Sequence, residues 1–269
     1  MPGASKYAAG LLFLICYGRT LAGMAAQWAN DEDMGHGFAV PFAIGWVIWN
    51  ERERWMKVPV IPSPWGGIQL LATGAALHAA GTLGGGLFVS ALALLVSLCG
   101  VIVALAGWSL LRAWTFPLLL TLFMLPKLAI VYNQVTLPLQ LLASKFAAGM
   151  LTSLGIGVLR EGNILDVGGH RVAVAEACNG IRFLLPLAFS GVMVFYVTGS
   201  RPIMRGAALL ASVPLSIFAN ALRVALSAWI PMLDSGTPHQ VAGYLVFAFG
   251  LAMLFMLHWA LNSVRRHAD

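Results

Sequence analysis

Apolar residues along the chain gather in runs that approach the roughly 20 residues needed to cross a bilayer, with short polar intervals between them. The runs predict eight spans, at 7–28, 37–50, 67–86, 87–110, 114–131, 179–198, 203–228 and 239–261. The second of these is short and the fifth marginal. One further stretch, 137–156, is apolar but interrupted by Gln140, Ser144 and Lys145, and it reads as an interfacial or half-inserted helix rather than a ninth span.

The helical pattern breaks in NILDVGGHRVAV, residues 163–174, where two short β-prone runs flank Gly168-Gly169. Paired glycines supply the positive φ angles of a two-residue hairpin turn. The fold class expected is therefore an all-α polytopic membrane protein of about eight transmembrane helices with a small extracytoplasmic β-hairpin. Nearly all of the chain is used by spans and short connections, so one membrane domain over 1–269 is expected.

Composition agrees with that pattern: 59% of the 269 residues are hydrophobic and 10% are charged, which leaves no room for a soluble catalytic domain. The net charge of +6 sits in short loops beside apolar runs, where it sets orientation and does not bind nucleic acid. With a cytoplasmic N-terminus, Lys6, Arg52, Arg54, Lys57, Arg112, Arg201, Arg205, Arg265 and Arg266 all fall inside. Asp31, Glu32, Asp33, Glu161, Asp166, Glu176 and Asp234 then fall on the opposite face. A ninth full span would invert the later loops. The first run carries Arg19 and has no small-residue cleavage site, so it is expected to stay as a span. Cys16, Cys99 and Cys178 stand at unrelated spacings, which suggests neither a disulfide framework nor a zinc site, and no cofactor or metal is expected.

On this map Cys178 opens the sixth span from the outer face, Arg223 lies near the outer end of the seventh, and His239 opens the eighth. Three reactive side chains from three helices share one level. A thiol at a helix N-terminus is favoured as the nucleophilic thiolate, with Asn179 as a capping residue and Arg182 adding positive potential on the same face. His239 suits proton transfer between that thiol and a leaving amine. Arg223 cannot titrate usefully, but it can donate to an oxyanion in a partly dry site. A charge among the apolar residues of ANALRVALSAWIP is costly unless it snorkels or finds a partner. Among the other candidates, His36 in MGHGFAVP reads as a substrate-side or turn residue, His78 as a helix-packing residue and His170 as a turn or strand residue. Glu176 reads as a support.

Four stretches in order, GHGFAVP, EACNGIR, PLSIFANALRV and HQVAGYLVF, give the chain a resemblance to the exosortase/archaeosortase family of integral-membrane cysteine transpeptidases over roughly residues 34–261. The resemblance implies a catalytic trio of Cys178, Arg223 after Asn220, and His239. It departs from the family in having Asn179 where serine most often follows the cysteine. It also implies that the partners are secreted proteins carrying a C-terminal sorting tail: a motif such as Pro-Glu-Pro, one transmembrane helix and a basic end. The implied place is the cytoplasmic (inner) membrane, with the active site on the extracytoplasmic side and a thioacyl intermediate, often alongside exopolysaccharide production. A competing expectation is a non-enzymatic membrane subunit of a polysaccharide export or assembly system. An intramembrane protease of another kind is disfavoured, because G-x-S-x-G in a span, H-E-x-x-H and paired intramembrane aspartates are all missing.

Overall fold

The computed structural model describes residues 3–174 and 180–266, with side chains at 10–174, 180–261 and 263. The chain forms two compact units, Met1–Leu128 and Ala129–Asp269.

The first unit contains α1 (Gly3–Asn30), α2 (Ala39–Asn50), α3 (Arg52–Met56), α4 (Pro64–Ala80), α5 (Gly86–Ala106), α6 (Trp108–Ala113) and α7 (Thr115–Leu120). Helices α4 and α5 form a continuous apolar stretch of 43 residues. Straight, it would extend about 65 Å, twice the hydrocarbon thickness of a bilayer. It folds in two through Gly81–Gly85, and Gly86 leaves that turn at φ +76°. Gly67 and Gly74 of α4 and Gly81 at its C-terminal cap recur every seven residues, and a Cβ on each would collide with Ala104, Ser97 and Ser90 of α5 respectively. Small residues at a helix interface let backbones approach closely, which is how apolar helices associate where lipid is as apolar as leucine. Tyr17 of α1 joins this hairpin, its hydroxyl 2.7 Å from Ser97 Oγ and its ring 4.6 Å from the His78 ring. His78 thus packs between helices.

In the same unit Lys127 bridges Asp31 at 2.6 Å and Asp33 at 2.8 Å, closing the fifth apolar run against the loop after α1. Burial disfavours the Lys127 ammonium, but hydrogen bonds and charge from the two carboxylates outweigh it and raise its pKa.

The second unit contains α8 (Ala129–Ser153), strands β1 (Leu159–Glu161), β2 (Ile164–Val167) and β3 (His170–Ala173), then α9 (Ile181–Val197), α10 (Pro202–Trp229) and α11 (Gly236–Arg266). The expected hairpin is present: Val167 pairs with His170 across Gly168-Gly169, whose φ values are +60° and +91°, as a type I′ turn demands. It belongs to a three-stranded antiparallel sheet, because β1 adds to the β2 edge with Leu159 opposite Asp166. Leu165 and Val172 turn to the protein side and pack with Ala143, Ala147 and Leu151 of α8 and with Val224, Ala225 and Ala228 of α10. The sheet therefore rests on the C-terminal part of α10, the part that carries Arg223.

The structure bears out the span map in part. Among the described residues, four helical stretches are long and apolar enough to cross a membrane, Pro64–Ala106, Ala129–Ser153, Pro202–Trp229 and Gly236–Leu261, the first of them folded into the α4–α5 hairpin, and eight spans are not confirmed. The runs expected at 37–50, 114–131 and 179–198 yield shorter helices, Ala39–Asn50, Thr115–Met124 and Ile181–Val197, of about 18, 15 and 26 Å. Most of the stretch expected to be half-inserted, residues 137–153, falls in the 25-residue α8, which is long and apolar enough to span. Two of the residues that interrupted its apolar pattern have internal partners. Ser144 Oγ donates to the Gly162 carbonyl at 2.9 Å, and Asn163 donates to Gln140 Oε1 at 3.4 Å and to the Val174 carbonyl at 3.2 Å.

Candidate active site

One face of α10 is polar: Ser212, Ser216, Asn220, Arg223 and Ser227 recur at helical spacing, and all are buried. Arg223 is 1% exposed and is among the largest fully buried side chains of the protein. Its Nη2 donates to Nε2 of His239, on the first turn of α11, at 2.6 Å. Nδ1 of His239 donates to the Leu233 carbonyl at 2.8 Å. A guanidinium can only donate and a carbonyl can only accept, so these two contacts together define a neutral imidazole protonated on Nδ1. The lone pair on Nε2 rests on the arginine.

Other elements shape this place around the guanidinium. Phe183, in the first turn of α9, lies with its ring centroid 5.7 Å from Arg223 Cζ, within cation–π range. Gly243, one helical turn after His239, leaves the space the guanidinium fills: a Cβ there would stand 3.4 Å from Arg223 Nε. Gly180 caps α9 at φ +87°, and its α carbon faces Asn220, whose Cβ is 3.5 Å from the position a Cβ on Gly180 would take.

Of the residues expected to form the site, the structure brings Arg223 and His239 together. Cys178, with Glu176 and Asn179, falls in residues 175–179, outside the described residues. Its described neighbours are placed: Val174 is tied to Asn163 by its amide at 2.8 Å, and Gly180 lies against Asn220. Ser227 and the Leu233 carbonyl were not anticipated. The serine stands four residues after Arg223 on the same helix face, which was a readable signal, whereas a backbone acceptor leaves none.

The remaining histidines have other surroundings. In the first unit, the His36 ring bonds to the Phe123 carbonyl at 2.9 Å, and burial pushes its pKa below the ordinary histidine range despite the raising influence of that carbonyl and of Asp33. His170 is a strand residue of β3, and His258 packs edge-on against Phe195 at 4.5 Å. Among the described residues, no three His, Cys, Asp or Glu side chains converge as metal ligands.

An apolar groove of about 550 Å³ opens between α10 and α11. Leu222, Leu226, Leu233, Pro238, Val241 and Leu245 line it, and two of these, Leu222 and Pro238, are the sequence neighbours of Arg223 and His239. No curated protein and no solved structure matches the chain. A family model described as Transmembrane exosortase (Exosortase_EpsH) matches residues 28–256.

Proposed function

The chain belongs to the transmembrane exosortase family, and from that premise we propose that it is a membrane-embedded cysteine peptidase or transpeptidase. It cleaves the C-terminal sorting tail of secreted proteins at the outer face of the cytoplasmic membrane. The observation that carries this reading is the 2.6 Å contact between Arg223 and His239, a buried cation and a tautomer-fixed imidazole from different helices. Gly180, two residues from Cys178, stands against the same helix as Arg223, three residues before it at Asn220.

In the reaction, His239 Nε2 leaves Arg223 and takes the Cys178 proton. The thiolate attacks the scissile carbonyl, and the resulting oxyanion takes the Arg223 donor that the imidazole has released. Collapse breaks the C–N bond, His239 gives its proton to the departing amine, and a thioacyl enzyme remains. Water or an incoming amine resolves it and restores the thiol. The apolar groove between α10 and α11 suits the transmembrane part of a sorting tail. A role in surface anchoring goes with this substrate class, and the link to exopolysaccharide is the one the family resemblance implies.

Coexpression of a tagged protein bearing such a tail with the wild type or with Cys178→Ala tests the reading. Tail release by the wild type and an intact tail with the variant are expected. Equal processing in both cells overturns the catalytic assignment, and a silent Cys178→Ala change in a cell whose polysaccharide export fails on other substitutions would mark the chain as an export subunit.

A further inference from the structure

A histidine that shuttles a proton needs one ring nitrogen bare and the other protonated. For His239 the choice is made by the Leu233 carbonyl, which accepts Nδ1–H at 2.8 Å. The same carbonyl accepts the Ser227 hydroxyl at 3.1 Å. Leu233 ends a single 3-10 turn, Pro231–Leu233, anchored through its amide to the Ile230 carbonyl at 2.9 Å. The peptide that carries this carbonyl is also held at its other end, where the Asp234 amide donates to the Pro231 carbonyl at 3.2 Å, so the two side-chain donors act on the direction of a carbonyl in a turn that is only three residues long.

Ser227 is 4% exposed and stands four residues beyond Arg223. Buried serines of apolar helices ordinarily bond back to their own helix. Ser212 and Ser216 on this face do so, to Leu209 at 2.6 Å and Val213 at 2.8 Å. Ser227 instead reaches out of α10 to the 3-10 turn. One helix thus addresses both nitrogens of the same imidazole, Nε2 directly through Arg223 and Nδ1 through Ser227 and a shared carbonyl.

We propose that Ser227 is a positioning residue for His239: its hydroxyl orients the Leu233 carbonyl so that the imidazole stays in the Nδ1–H form with Nε2 turned to the reacting groups. The kinetic part rests on the function proposed above, whereas the tautomer part stands without it.

The test uses the full chain purified in detergent, as wild type, Ser227→Ala and Ser227→Thr. Its two readouts are cleavage of a tail-bearing substrate and the 15N spectrum of the histidine rings, with His239 assigned by its loss in His239→Asn. Losing one neutral hydrogen bond is expected to lower turnover about two- to tenfold in Ser227→Ala with KM unchanged, and Ser227→Thr is expected to restore it. The His239 spectrum is expected to change from a single Nδ1–H form to a mixture of tautomers in Ser227→Ala alone. An unchanged spectrum and turnover in Ser227→Ala overturn the proposal, as does equal impairment of the alanine and threonine variants, which would mark a packing role. If Ser227→Ala does not fold, Ser227→Cys, a weaker donor of similar size, gives the same two readouts. A wild type that cleaves no tail refutes the function, and the spectrum still decides the tautomer.

Discussion

Replacing Arg223 by methionine separates catalysis from stability. The side chain is 1% exposed, and its hydrogen bond to His239 is short, 2.6 Å, with a charged donor. Bonds of that type contribute about 1.5–3 kcal/mol, and losing one donor to a developing oxyanion costs roughly 100- to 1000-fold in turnover. If Arg223 serves first His239 and then the oxyanion, Arg223→Met lowers tail cleavage at least about 100-fold. Stability follows a different balance. A buried guanidinium is costly to desolvate, and methionine refills much of its volume without that cost. The partner left behind is a neutral, half-buried imidazole and not an uncompensated charge. The expected change in unfolding free energy is therefore small, within about 1.5 kcal/mol in either direction. Arg223→Lys keeps the charge but loses the planar fork, and it should recover little of the activity. The assay is cleavage of a purified tail-bearing substrate in detergent, read beside thermal unfolding of the same samples. Cleavage by Arg223→Met within about threefold of the wild type refutes the oxyanion role. A loss of cleavage that merely follows the fraction unfolded would show that the residue is structural.

Two other outcomes are expected in the first unit. His36 is held below its ordinary pKa of about 6.5, so between the two values the unfolded chain binds the extra proton and stability falls as pH falls. Thermal unfolding of wild type and His36→Gln between pH 5 and about 8 should show the variant losing less stability on acidification, and parallel curves would exclude His36 as the cause. A Cβ on Gly74 would stand 3.1 Å from the Ser97 amide nitrogen and 3.2 Å from the Ala93 carbonyl, backbone atoms that cannot move aside. Gly74→Ala should cost about 1–3 kcal/mol, whereas Gly149→Ala, which meets nothing within 4 Å, should not destabilise; equal melting of the two variants would contradict the close-packing account.

What the sequence made legible follows from what each signal encodes. Gly168-Gly169 announced a tight turn because two consecutive positive φ values are costly for any other pair, and the turn stands where expected. Strand β1 gave no such sign: three residues, all exposed, carry no alternation, and the strand exists through main-chain pairing to β2. Gln140 and Ser144 looked like breaks in a span because a polar residue in an apolar run can face water or an internal partner, and the run does not say which. The topology put Arg223 and His239 at one level from their positions in their helices. Their contact depended on how α10 and α11 rotate about their axes, which only packing decides. The Leu233 carbonyl was out of reach, since every residue carries one.

The glycine repeat of α4 also bears on how the chain is made. Its contacts join Gly81 to Ser90, Gly74 to Ser97 and Gly67 to Ala104, so they grow outward from the turn like the teeth of a closing zip. Pairings this local need little loop closure, and they can form as soon as Ala106 has emerged during synthesis. The hairpin is then an early folding unit that gives Tyr17 of the preceding helix a finished surface to dock on. A bulky residue at Gly74 would delay that first step, and its main cost in the cell would be measured as lost yield of inserted protein.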